Sequence, residues 1–130
     1  MKKKSIWIID DDAIYKFVIQ KLIAKSDLFD DVKTFSNGEE ASNALKNEGN
    51  ENILLPDIIL LDIEMPRMDG WEFISEIEAF LKKADQKSIK IFMSSSSIAF
   101  EDKVKVDNNP NINGYLTKPI SFDDLLQIAI

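Results

Sequence analysis

Five short apolar runs alternate with segments whose apolar residues recur at helical spacing, and few folds can absorb that order. The runs are Ser5 to Ile9, Val32 to Phe35, Ile58 to Leu61, Ile89 to Met93 and Gly114 to Leu116. Between them, Ile14, Phe17, Val18 and Leu22 repeat with the period of a helix. So do Phe73, Ile74, Ile77 and Leu81, and near the end Phe122, Leu125, Leu126 and Ala129. A thinner stripe, Ala41, Ala44 and Leu45, marks a helix over about Glu39 to Asn47. Val104 and Val106 mark another over about Glu101 to Asp107. Strands alternating with helices predict a parallel α/β sheet, because each parallel pair needs a crossover. Ser36-Asn37-Gly38 and Asn108-Asn109-Pro110-Asn111 punctuate the chain as loops. No internal repeat, low-complexity tract or linker interrupts it, so residues 1–130 are expected to form one domain.

The strands differ in a way that orders them. The second alternates apolar and polar residues, as an edge strand does, whereas Ile58-Ile59-Leu60-Leu61 is apolar throughout, as a strand covered on both faces is. The third strand is therefore central, and the expected order is 2-1-3-4-5 in a doubly wound sheet. Such sheets bind ligands beyond the carboxyl ends of the strands where the winding reverses, here between strands one and three. Strand one runs into Asp10-Asp11-Asp12 and strand three into Asp62, so the switch point gathers carboxylates. Two unit charges about 4 Å apart repel by roughly 4 kcal/mol at an effective dielectric near 20. A hard dication relieves that repulsion, and Mg2+ binds through one or two carboxylates while keeping waters for substrate oxygens. Taken singly, the acids also fit plainer roles. Asp is favoured at helix N-caps, which suits Asp10 to Asp12, and Asp62 can initiate a turn ahead of Pro66.

The sequence has no cysteine and no histidine. Thiolate chemistry, Ser-His-Asp catalysis, the usual zinc sites and a phosphohistidine carrier role are thereby excluded. Carboxylates, hydroxyls and lysines must carry the function. A formal net charge of −7 argues against direct nucleic-acid binding. The basic run Lys2 to Lys4 precedes an apolar stretch too short for a signal peptide core, and no later stretch approaches a membrane span. A cytoplasmic location is the expectation.

Five blocks, in order and at matching spacings, resemble the receiver domains of two-component response regulators, the CheY-like family, over nearly the whole chain. They are Ile8-Ile9-Asp10-Asp11-Asp12, Pro56 through Pro66 with Asp62 at its centre, Met68-Asp69-Gly70, Met93-Ser94-Ser95-Ser96, and Gly114-Tyr115-Leu116-Thr117-Lys118-Pro119. The resemblance implies a flavodoxin-like (βα)5 three-layer sandwich and a phosphoacceptor switch. In that scheme Asp62 takes the phosphoryl group as a mixed anhydride. Asp11 ligates Mg2+ directly, Asp10 acts mainly through a bound water, and the backbone carbonyl of Glu64 supplies a further ligand. Asp12 keeps its N-cap role. Lys118 pairs with a phosphoryl oxygen and, before phosphorylation, with Asp62. Ser95 hydrogen-bonds the phosphoryl group, favoured by strand alternation and family spacing over Ser94 or Ser96, which take the role if the register moves by one. Tyr115, otherwise a half-buried aromatic with its hydroxyl in water, changes rotamer and passes the event to the face formed by helix four, strand five and helix five. The implied partners are a sensor histidine kinase or phosphotransfer protein and a downstream protein, with the chain a monomer or weak dimer. Two departures concern signalling: Ser96 stands where the family often has alanine, and helix four lacks a strong apolar stripe.

Other classes fit less well. An aspartyl-nucleophile phosphatase wants a second acid two residues after the nucleophile, where Glu64 stands, but also a cap insertion that the sequence lacks. A flavodoxin-like electron carrier needs a hydroxyl- and glycine-rich loop after strand one, where this chain has acids. A degenerate receiver acting only as a binding module would have no need of the full set Asp10, Asp11, Asp62, Ser95 and Lys118.

Overall fold

The computed structural model describes residues 3–48, 55–83, 88–96 and 99–130. In chain order the elements are β1 (Lys4–Ile9), α1 (Ala13–Ser26), β2 (Phe29–Phe35), α2 (Gly38–Glu48) and β3 (Ile58–Asp62). They continue with α3 (Gly70–Lys83), β4 (Lys90–Ser95), α4 (Phe100–Asn108), β5 (Gly114–Thr117) and α5 (Phe122–Ala129). The five strands form one parallel sheet in the order 2-1-3-4-5, as the burial pattern of the strands predicts. Every residue of β3 is buried, and its alternate side chains feed two separate cores. Ile59 and Leu61 join Trp7, Ile9, Phe73, Ile77 and Met93 on one face. Ile58 and Leu60 join Ile6, Ile8, Ile19, Ile23 and Leu125 on the other. Each such side chain, fully buried, stabilises the fold by about 1.5–3 kcal/mol.

Local chemistry sets where the helices begin. Asp12 N-caps α1, its carboxylate accepting from the backbone N–H groups of Ile14 and Tyr15 at 3.0 and 3.1 Å. Asp69 and Glu72 exchange side-chain bonds with each other's backbone N–H at the start of α3, and Ser121 with Asp124 forms the same reciprocal box at α5. Gly70 matters for close approach. A Cβ there would lie 2.7 Å from the Asp62 carbonyl oxygen and 3.1 Å from the Ile63 Cα, and its N–H donates to the Ile63 carbonyl at 2.8 Å. The N-terminus of α3 thus rests directly on the end of β3.

Three elements differ from expectation: β2, α1 and α5, where Phe122 and Leu126 are exposed and Ile128 is buried beside Leu125. β2 starts at Phe29 rather than Val32, because Phe29 is buried and pairs with Lys4, while Asp30 and Asp31 point to solvent along an edge. The face of α1 is the largest difference. Ile14, Phe17 and Val18 are exposed, and the sheet instead receives Ile19 and Ile23, with Tyr15 and Leu22 half-buried. The helix carries two overlapping apolar stripes, and period alone does not choose between them.

Candidate functional site

Asp10 follows the last residue of β1 and Asp62 ends β3, so adjacent central strands deliver both carboxylates to the same edge of the sheet. Both are buried, at 1% and 6% exposure, while Asp11 is exposed. Ligand oxygens of Asp10, Asp11 and Asp62 all lie within 4.8 Å of one another. Lys118, just past β5, reaches in with its Nζ 2.6 Å from Asp10 Oδ2 and 3.5 Å from Asp62 Oδ1. The lysine therefore bonds chiefly to Asp10, with Asp62 its second and looser partner. The other Asp10 oxygen accepts the Asp12 backbone N–H at 2.9 Å.

These surroundings change how Asp62 titrates. Burial first, and then the charge of Asp10, raise its pKa from 3.8 to about 7, while Lys118 and the Glu64 backbone N–H oppose the rise. With all three carboxylates ionised and one ammonium among them, two negative charges are left over. An all-oxygen donor set with that surplus fits a hard divalent cation and suits neither a soft metal nor an anion. An open groove lined by Asp11, Glu64, Asp69, Trp71 and Asp102 leads to the cluster from solvent.

The remaining sites fall into place unevenly. Ser95 ends β4, is buried, and accepts the Lys118 backbone N–H on its carbonyl at 2.9 Å. Strand alternation puts Ser95 on the face of Met93 and Ser94 on the face of Phe92, towards the core that includes Tyr15. Tyr115 is half exposed on β5, paired with Met93, and the Lys103 ammonium lies 5.8 Å from its ring centroid. Glu64 is exposed, its side chain outside the three-carboxylate cluster. Asp57, four residues before Leu61, lies at the opposite end of the sheet, where it bonds the Ser5 backbone N–H at 2.9 Å. Sequence reasoning overlooked Tyr15. Its ring lies under the Lys118 ammonium, 4.3 Å from Nζ to the centroid. Burial, then the Asp10 and Asp62 charges, push its hydroxyl pKa above the usual tyrosine value. The available signal was its position three residues after the Asp12 cap, which turns it toward the strand ends.

The model of the response regulator receiver domain family matches residues 6–130. The chain belongs to the response regulator receiver family. A two-component response regulator from Cytophaga hutchinsonii superposes with a TM-score of 0.89 at 27% identity, covering 98% of this chain and 95% of that one. The Mn2+-bound form of response regulator Rcp1 gives 0.72 at 26% identity over 97% of this chain and 88% of that one; Rcp1 is a protein of Synechocystis. A phosphorylated cyanobacterial phytochrome response regulator, RcpA, gives 0.73 at 33% identity, covering 98% and 89%. Several curated relatives are much longer, and the chain spans only 20–24% of their length. Receivers are phosphorylated by histidine kinases and are typically phosphoacceptors rather than true enzymes, and the acidic cluster is typical of the receiver metal site. Among the described residues no helix is long and apolar enough to cross a membrane.

The raised Asp62 pKa has a measurable consequence for this receiver. Between pH 3.8 and about 7 the folded chain holds a proton that the unfolded chain has released. Stability therefore falls across that window as pH rises. With a chelator present, Asp62→Asn should be more stable than the unsubstituted chain at pH 8 by on the order of 1–3 kcal/mol, and the advantage should shrink toward zero by pH 4. Urea titrations at the two pH values check this. A difference independent of pH contradicts it.

Proposed function

We propose that this receiver, as one domain over residues 1–130, is a phosphoacceptor switch that takes its phosphoryl group on Asp62 from a sensor histidine kinase or phosphotransfer protein. The observation that carries the reading is the setting of Asp62: a buried carboxylate at the end of the central strand, beside Asp10 and Asp11 and within 3.5 Å of Lys118. An Asp62 oxygen forms a bond to phosphorus while the phosphorus–nitrogen bond of the donor phosphohistidine breaks. The electron pair goes to the departing imidazole nitrogen, which takes its proton from solvent. Asp10, Asp11, Asp62 and the backbone carbonyl of Glu64 would hold Mg2+, which supplies positive charge to the phosphoryl oxygens. Lys118 supplies a second, charge-assisted contact, and phosphoryl transfer is largely positioning and charge stabilisation of this kind. The Mn2+ form of Rcp1 and the phosphorylated RcpA support the metal and the modification.

The output is proposed to run through Ser95 and Tyr115 to α4, β5 and α5, ending in a protein contact rather than nucleic acid, in the cytoplasm, by a monomer or weak dimer. Ser95 suits the coupling role because it shares a sheet face with Met93, whose neighbour in register is Tyr115. Exposed apolar side chains at Val104, Phe122 and Leu126 give the same surface something for a partner to cover. The phosphatase alternative loses ground because Glu64 is exposed and its side chain stands apart from the carboxylate cluster.

Mass spectrometry after incubation with Mg2+ and a small acyl phosphate should find one phosphoryl group, on Asp62, and none on Asp62→Ala. Equal labelling of the two proteins would overturn the reading. For the output step, beryllofluoride should shift backbone amide resonances from Val104 to Leu126 in the unsubstituted chain, and much less in Ser95→Ala. Equal shifts in both would remove Ser95 from the coupling and pass the role to a neighbouring serine.

A further inference from the structure

Lys118 is an awkward residue for its task. Its four-carbon stem is flexible, with about 2 kcal/mol of rotamer entropy to lose, and its ammonium lies closer to Asp10 than to Asp62. Tyr15 occupies the third side. The ring centroid is 4.3 Å from Nζ, within the range at which an aromatic face attracts a cation, and the ring packs against the core formed by Ile6, Ile8, Ile58 and Leu60. Its backbone is fixed as well, since the Tyr15 N–H is one of the two donors to the Asp12 cap. The hydroxyl approaches the Ser94 side chain without closing a hydrogen bond of normal geometry to a protein group. Tyr15 is thus held at both ends, by the helix cap and by the core, with one face turned to the ammonium.

We propose that Tyr15 is a positioning residue for phosphotransfer, its ring holding the Lys118 ammonium at the carboxylate pair where the phosphoryl oxygens arrive. The inference rests on the phosphoacceptor reading. An aromatic face attracts the ammonium without offering an oxygen that would compete with the incoming phosphoryl group. It also shields the ion pairs from water on the α1 side, which strengthens them.

The test measures labelling rates with a small acyl phosphate and saturating Mg2+, using the full chain. Tyr15→Leu should be slower by about tenfold, the effect of a desolvated cation–π contact. Tyr15→Phe, which keeps the ring, should stay within about twofold of the unsubstituted rate. In a Lys118→Ala background the Leu substitution should change the rate by less than about twofold, because the ring then has nothing to hold. Mg2+ affinity should be alike in the unsubstituted chain, Tyr15→Leu and Tyr15→Phe, since these keep every charge of the site. Tyr15→Met replaces Tyr15→Leu if the latter melts below the assay temperature. An unchanged rate in Tyr15→Leu, a Phe variant as slow as the Leu variant, or an equal fall with and without Lys118 each overturns the inference. Failure of the unsubstituted chain to label at all would instead overturn the phosphoacceptor reading.

Discussion

The burial of β3 on both faces is the constraint on which the rest depends. β3 stays buried to its last residue, so Asp62 arrives at a place where its charge is costly. Because β1 is the neighbour of β3, Asp10 arrives at the same depth. One ammonium, from Lys118, serves both. The surplus negative charge makes the site receptive to a divalent cation, and a cation together with Lys118 is what a phosphoryl group needs. The cost of placing the carboxylates and the proposed affinity for cation and phosphoryl oxygen have the same electrostatic origin.

The elements around the crevice are tied to it by short links. The Lys118 backbone N–H bonds the Ser95 carbonyl, so the ends of β4 and β5 are joined beside the site. Ile63 donates its backbone N–H to the Ser94 carbonyl at 3.1 Å, joining the Asp62 loop to the same strand. Farther out, the Trp71 indole N–H bonds Asp102 at 3.1 Å, linking the first turn of α3 to α4. Since Gly70 seats that turn on the Asp62 carbonyl, a change at Asp62 has only a few atoms to cross before it reaches α4. Such linkage gives the proposed signal a physical route.

Much of this was legible in the sequence. An all-apolar run, Ile58 to Leu61, identified the central strand, and the acids after strands one and three placed the site, because strand patterning follows burial directly. Asp12 kept its cap role in the structure as in the sequence. Two things were not legible. The face of α1 is not legible because Ile14, Phe17, Val18, Ile19, Leu22 and Ile23 spread over about two-thirds of the helix circumference, and only the packed sheet selects Ile19 and Ile23. The stronger bond of Lys118 to Asp10 and the place of Tyr15 depend on side-chain direction between elements about a hundred residues apart, which spacing does not encode.

Asp10, Asp11 and Asp62 form a cluster that the fold itself leaves short of positive charge. Thermal unfolding at pH 8 tests the proposed cation site most directly, with chelator and with Mg2+ at about a hundredfold excess over its dissociation constant, on the unsubstituted chain and on Asp11→Ala. Binding to the folded chain alone should stabilise it by about 2.7 kcal/mol under that excess, raising the midpoint by several degrees, and Asp11→Ala should lose most of the gain. An unsubstituted chain that melts at the same temperature with chelator and with millimolar Mg2+ would contradict the account.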